Sequence, residues 1–226
     1  MPASSPQIPA EAVRPGSLYK CPNVKVLMPA GEMVEVVVGE VYSPHRFWMI
    51  RRGADTLQAL DALMDRMFEF YGSPIGGRYM VPNDFVTIGF PVVALYANDL
   101  NFYRAIVTNL EDLTTVRLFF VDYGTICRCD HSSLRLLHRA FLELPAQAIK
   151  ASLCDVSPPG ASRLWPRAAS QRFLEMIQNK AFVAQVLVSE WLAAWEVVHG
   201  DTELDIGITN TPELSLTILL LESLAP

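Results

Sequence analysis

The sequence holds no G-x-S-x-G elbow, no H-E-x-x-H helix and no glycine-rich phosphate loop, so the commonest local signs of hydrolase, zinc-protease and nucleotide chemistry are missing. Positive charge is scarce as well. Lys and Arg number 18 against 24 Asp and Glu, giving a net charge of −6. That balance argues against a footprint on duplex nucleic acid and favours a basic partner. Cysteine is sparse: Cys21, Cys127, Cys129 and Cys154 form no paired C-x-x-C. Cys127 and Cys129 would share one face of a strand, but a metal site there needs two more ligands, and His131 is the only near candidate. Structural thiols in a reducing compartment are expected, with no metal and no cofactor. No run of ~18 apolar residues and no secretory signal pattern is present, so a cytoplasmic protein with no membrane partner is expected.

What the chain does have is apolar content. Over 226 residues, 51% hydrophobic, there is room for one large domain or two small ones with packed cores. Met1 to Gly16 is rich in Pro, Ala and Ser, and residues 1–20 are expected to be a flexible tail. Strand patterns follow in VKVLM, MVEVVVGEVYS and RFWMIRR, with turns at Pro29-Ala30-Gly31 and Ser43-Pro44-His45. Asp55 to Tyr71 predicts a helix, with Asp55 as N-cap, Leu57, Leu60, Met64, Met67 and Tyr71 at helical spacing, and Gly72-Ser73-Pro74 as its stop. Later, Pro166 to Gln178 predicts a second helix with Ala169, Phe173, Met176 and Ile177 on one side. Ala181 to Val188, Ala194 to Val198 and Leu204 to Thr209 read as strands, Ser215 to Leu224 as strand or helix. Trp191 and Trp195 read as core.

The centre of the chain is Val92 to Leu137. Apolar residues alternate on either side of turns at Asn98-Asp99-Leu100-Asn101, Glu111-Asp112 and Asp122-Tyr123-Gly124, predicting four antiparallel strands in a small curled sheet or barrel. A first turn centred near Asp99-Leu100 places Tyr96 opposite Tyr103. A second centred between Glu111 and Asp112 places Tyr103 opposite Phe120, with Tyr123 just beyond. Four rings then converge on one rim. Alternating aromatics ordinarily pack a core. At a strand end, however, inward rings line a concave mouth, and their faces attract a cation.

The runs LYANDLNFYRAIV, LFFVDYGT and LRLLHRAFLELPAQAI, in that order, resemble the Tudor core of germline Tudor-domain proteins, Tejas-like members among them. EVYSPHRFW followed by DALMDRMFEFYG is similar to the opening of the extended Tudor module. The resemblance implies a mainly β protein with helices (α+β), in which a small Tudor barrel is inserted into an OB-fold, staphylococcal-nuclease-like subdomain and joined by a linker helix. The implied division is 21–53 for the first part of the nuclease-like subdomain, 54–73 for the linker helix, 82–140 for the Tudor core and 141–226 for the remainder.

By the same resemblance, Tyr96, Tyr103, Phe120 and Tyr123 form an aromatic cage for symmetrically dimethylated arginine. Thr125 takes the place of an Asn that would accept a hydrogen bond from the guanidinium. Thr can accept a hydrogen bond, but its oxygen lies closer to the backbone and its rotamers are restricted. Arg104 and Asp122, beside cage positions, are expected to form an ion pair bracing the rim. The implied partners are arginine-rich peptides of PIWI-class proteins, with RNA-pathway helicases or RNA as further ones. The implied role is non-catalytic scaffolding of the piRNA pathway in perinuclear germ granules. Asp201, Glu203 and Asp205 alternate on one strand without an arginine nearby, and read as a solvated edge rather than a nuclease centre. The alternatives are a single-stranded RNA binder on the OB-like part, and a scaffold whose incomplete cage ignores methylation.

Overall fold

A computed structural model describes residues 8–20, 22, 24–29, 31–160, 162–177, 180–190, 196–199, 206–209 and 213–219. In chain order the elements are a helical turn α1 (Val24–Leu27), strands β1 (Met33–Ser43) and β2 (Arg46–Arg51), helix α2 (Ala54–Gly72), strands β3 (Pro91–Leu95), β4 (Phe102–Leu110), β5 (Thr115–Phe120), β6 (Ile126–Asp130), β7 (Leu134–Leu136) and β8 (Ile149–Leu153), helix α3 (Arg167–Ile177), and strands β9 (Ala181–Glu190), β10 (Glu196–His199), β11 (Ile206–Thr209) and β12 (Glu213–Leu219). The chain is mainly β with two longer helices, the expected class. It divides into two compact units: Met1–Lys20, Gln58–Val121 and Ile126–Ala146 form the first, and Cys21–Leu57, Asp122–Thr125 and Gln147–Pro226 the second.

The second unit is built on a closed barrel in the order β1-β2-β8-β12-β9. Numbered by appearance within the barrel, its strands run 1-2-3-5-4, with the third and fifth parallel and the other pairs antiparallel. This is the five-stranded Greek-key arrangement of an OB-fold. Alternation in MVEVVVGEVYS puts Val34, Val36 and Val38 on one face, where they meet Phe47, Met49, Ile149, Ala151, Phe182 and Ala184. Helix α3 closes this core with Phe173 and Ile177, the Phe173 ring standing 5.5 Å from Phe47. Met176, expected on the same side, is exposed. VKVLM, expected as a strand, forms the single turn α1 instead. It is too short to pair, and burial of Met28 in the barrel core decides its conformation over β-propensity.

The first unit is built on the five-stranded sheet β6-β5-β4-β3-β7. The fifth strand, Leu134–Leu136, pairs with β3 and is too short for periodicity to have shown it. Val92, Ala94, Ala105, Val107, Val116, Leu118, Leu134 and Leu136 share the inner face by register, and all are buried. Helix α2 packs Leu60, Leu63, Met67 and Tyr71 inward. Its N-cap is Gly53, not Asp55. The Gly53 carbonyl takes the amides of Thr56 and Leu57, and Thr56 Oγ1 accepts the Gly53 amide in return. Asp55 lies in the first turn, where a carboxylate suits the helix dipole. From Gln58 onward the helix belongs to the first unit, so it is more than a linker.

Residues 8–20 are not a tail. Ala12 bridges to His138, Val13 donates its amide to the Leu137 carbonyl, and the buried Tyr19 directs its hydroxyl to the carbonyls of Val92 and Ala105. Apolar Ala12, Val13 and Tyr19 outweigh the Pro-rich composition around them. Trp191, Trp195, Asp201, Glu203 and Asp205, together with Cys21, lie outside the described residues.

Candidate functional site

Two hairpins set the candidate rings. In the first, β3 and β4 pair Leu95 with Phe102 and Ala94 with Tyr103, and the Tyr96 amide donates to the Asn101 carbonyl. Tyr96 is therefore opposite Asn101 rather than Tyr103. The ladder is slipped by two residues from the expected register because Leu100 takes a left-handed conformation (φ 59°) and Asp99 Oδ1 accepts the Asn101 amide. A slip of two keeps every side chain on its face and turns the direct pair into a diagonal one, still within reach of aromatic rings.

The second hairpin carries two departures that offset each other. Asp112 Oδ1 accepts the amides of Thr114 and Thr115, which centres the turn beyond Glu111-Asp112 and pairs Leu110 with Val116. That shift alone would be odd and would flip the strand. A bulge between Val107 and Asn109 takes one residue back, so Phe120 pairs with Ala105 and faces the same side as Tyr103.

The result is a corner of three rings. Tyr96 stands nearly perpendicular to Tyr103 (centroids 5.9 Å apart, 88°) and to Phe120 (5.4 Å, 82°), while Tyr103 and Phe120 are tilted at 43° and 5.3 Å. Phe120 is 3% exposed and forms the floor. Tyr96 and Tyr103 are half-buried and form walls. Their hydroxyls are held by the loop between them: Asn98 Nδ2 donates to the Tyr96 hydroxyl at 2.7 Å, and Tyr103 donates to Asp99 Oδ2. Desolvation works to raise the Asp99 carboxyl, but hydrogen bonds from Tyr103 and Asn101 outweigh it and hold it below the ordinary carboxylate value. A carboxylate thus stays charged beside two aromatic walls, which suits a cation. Asn98 and Asp99 were read from the sequence only as turn formers. A polar pair between two tyrosines, each within a few residues, is the signal that would have found their second role.

Tyr123 and Thr125 lie in the turn Asp122–Thr125, which belongs with the second unit, and both are half-buried. That turn is seated closely on the β1–β2 hairpin. Gly124 has φ +81°, and a Cβ there would lie 2.1 Å from the Trp48 side chain. A Cβ on Gly39 would lie 2.7 Å from the Tyr123 carbonyl oxygen, and Tyr42 donates its hydroxyl to the Gly124 carbonyl at 3.2 Å. Gly39, Tyr42 and Trp48 are therefore positioning residues for the turn. No local pattern marks them, because the contact joins segments far apart in sequence.

Arg104, expected to brace the rim from the face opposite Tyr103 and Phe120, is 1% exposed on that face. Its guanidinium donates to the carbonyls of Phe141 (2.8 Å), Leu144 (2.6 Å) and Pro145 (3.0 Å) and lies 5.2 Å from the Tyr19 ring centroid. Asp122 Oδ1 accepts the Gln147 amide at 3.1 Å. The YRA arginine and the DYG aspartate thus each anchor part of the exit segment Leu144-Pro145-Ala146-Gln147. Among the described residues, no group of three or more His, Cys, Asp and Glu side chains could hold a metal.

Comparison with known proteins points one way. The Tudor domain pattern matches residues 28–155. The chain is 31% identical over 182 residues to Tudor domain-containing protein 5 of Danio rerio, covering 79% of this chain and 19% of that protein. It is 30% identical over 210 residues to the human Tudor and KH domain-containing protein, covering 88% of this chain and 36% of that one. The chain therefore spans well under half the length of these relatives. Among solved structures, the extended Tudor domain TD3 of mouse TDRD1, in complex with a MILI peptide containing dimethylarginine, superposes with a TM-score of 0.69 at 27% identity, over 90% of this chain and 89% of that one. With a closed five-stranded barrel, a five-stranded sheet whose second strand in sequence carries YRA, and these relatives, the chain belongs to the Tudor domain family, in its extended form.

Proposed function

We propose that this chain is a non-catalytic reader of arginine side chains in flexible peptides, with symmetrically dimethylated arginine as its preferred ligand. The observation that carries this reading is the corner of Tyr96, Tyr103 and Phe120, with the Asp99 carboxylate fixed beside it. An aromatic corner attracts a cation through ring quadrupoles, and methyl groups add apolar contact without removing the charge. Tyr123 supplies the fourth ring, and Thr125 accepts a guanidinium hydrogen bond. The solved TDRD1 domain with its dimethylarginine-containing MILI peptide supports a PIWI-class tail as partner. Germ-granule scaffolding in the piRNA pathway, in the cytoplasm, follows from that partner. Each ring contributes ~0.5 to 2 kcal/mol, so the cage alone gives weak affinity.

A second reading keeps the peptide and drops the methyl requirement. It is favoured by Thr125, whose short side chain stands where the family carries Asn. Titration with an Arg-Ala repeat peptide, unmodified, asymmetrically dimethylated and symmetrically dimethylated at one arginine, separates the two. Tightest binding of the symmetric form, lost in Tyr103→Ala and Tyr123→Ala, is the expected result. Equal affinity for all three forms selects the second reading, and no binding overturns both and turns the search to RNA.

A further inference from the structure

Strand β6 carries Cys127 and Cys129 on one face, opposite Leu118 and Val116 of β5. β6 pairs with β5 alone among the described residues and stands at the edge of the five-stranded sheet. Both thiols are half-buried, and their sulfurs lie 3.2 Å apart. Two residues of extended strand separate their Cα atoms by ~6.8 Å. A disulfide spans Cα separations up to about 6.8 Å. The Cα separation therefore sits at the limit of what a disulfide bridges, and closure requires the strand to contract at Arg128 until the two Cβ atoms, which share a face, approach to about 4 Å. An edge strand can make that adjustment by bulging, because only one ladder constrains it.

We propose that Cys127 and Cys129 form an oxidisable vicinal dithiol, a modification site for hydroperoxides that closes to an intramolecular disulfide. The two sulfurs have different parts. The hydrogen bond that the two sulfurs share lowers the Cys129 thiol from its ordinary value. The same hydrogen bond, followed by burial, pushes the Cys127 thiol up. Cys129 is the attacking thiolate. It displaces hydroxide from the peroxide oxygen, breaking the O–O bond and becoming a sulfenic acid. The Cys127 sulfur then attacks the Cys129 sulfur, and the sulfenic oxygen leaves as water after taking the Cys127 proton. Overall, two thiols and one hydrogen peroxide give one disulfide and two waters: the sulfurs are oxidised and the peroxide oxygens are reduced.

The sequence supplies a direct readout, because Arg128 lies between the two cysteines. The chain is treated with hydrogen peroxide, alkylated, confirmed monomeric by intact mass, and digested with trypsin. The expected result is that the peptide ending at Arg128 and the one beginning at Cys129 stay linked as one species, which dithiothreitol separates. Cys154 in the same molecules remains alkylated. Cys127→Ser should leave Cys129 as a sulfenic acid that dimedone traps, while Cys129→Ser should leave Cys127 as the free thiol. Full alkylation of both cysteines after a peroxide dose that oxidises Cys154 would overturn the proposal, as would linkage found only in dimers. Circular dichroism of each variant, expected to match the parent chain, keeps misfolding distinct from loss of reactivity.

Discussion

The Tyr103 hydroxyl donates to Asp99 Oδ2 at 2.5 Å, so the wall of the candidate cage is anchored by the loop that joins its two strands. Ring and carboxylate can be separated by substitution. Tyr103→Phe keeps the quadrupole and frees the carboxylate, and should weaken binding of a dimethylarginine peptide a few-fold. Tyr103→Ala removes the wall and should abolish binding, as calorimetric titration of the two variants would read. Equal effects of both would place the energy in the hydroxyl rather than the ring.

Asp99 also gives a pH signature. Its folded-state carboxyl titrates below the ordinary value, so it contributes stability that is present above the unfolded carboxylate pKa of ~3.9 and is lost as pH falls through the lower folded value. Carbon-13 NMR titration of the carboxyls should find the Asp99 midpoint below that of an exposed aspartate. The depression should shrink in Tyr103→Phe. An unshifted midpoint would mean that the hydroxyl does not hold the carboxylate in solution.

Arg104 holds three carbonyls on its guanidinium. Arg104→Met leaves those acceptors buried without donors and should cost about 3 kcal/mol or more. Arg104→Lys keeps the charge but cannot reproduce the planar fork, and should recover only part of the loss. Urea midpoints of the two variants test this. A near-neutral Arg104→Met would show that the three carbonyls find water instead.

Tyr71 makes a parallel case in the helix. Its phenol donates to the Leu136 carbonyl at 2.9 Å and accepts the His138 amide at 2.9 Å. Burial pushes its ionisation well above the ordinary phenol value. The neutral form is the one the fold keeps, so its contribution is intact below pH ~10 and is lost as pH rises through the raised value. Tyr71→Phe should cost about 1 to 2 kcal/mol at neutral pH and flatten the alkaline limb of the stability profile, followed by thermal melts from pH 8 upward. An unchanged alkaline limb would assign that limb to another group.

Gly124 tests the seating of the DYG turn. Gly124→Ala meets both a left-handed backbone and the Trp48 side chain, and should cost about 2 kcal/mol or more. Gly124→Ala combined with Trp48→Gly, which removes the Cβ, Cγ and Cδ1 atoms that crowd the new methyl, relieves the clash but not the backbone, and should lie between Gly124→Ala and the parent in urea denaturation, after allowance for Trp48→Gly alone. If the double variant is no better than Gly124→Ala, the backbone alone sets the cost.

What was legible in the sequence depended on range. Helix α2, the strands β1 and β2 and the three central turns follow from patterns a few residues long. Even the two register errors kept the rings on the correct face, because each slip was even once the bulge at Val107/Asn109 is counted. The reach of Arg104 to Phe141, Leu144 and Pro145 and the fit of Gly124 against Trp48 join distant segments and leave no local trace. The same is true of residues 8–20, whose burial depends on the sheet they meet.

Strand β12 lies between β8 and β9, so the barrel of the second unit closes only when residues near its C-terminal end arrive. On a ribosome, the sheet β6-β5-β4-β3-β7 emerges whole while β1, β2 and β8 still wait for their neighbours. Contacts this distant along the chain slow folding. During synthesis, the half-built barrel would present unpaired edges of β8 and β1 as the segment most in need of chaperone cover.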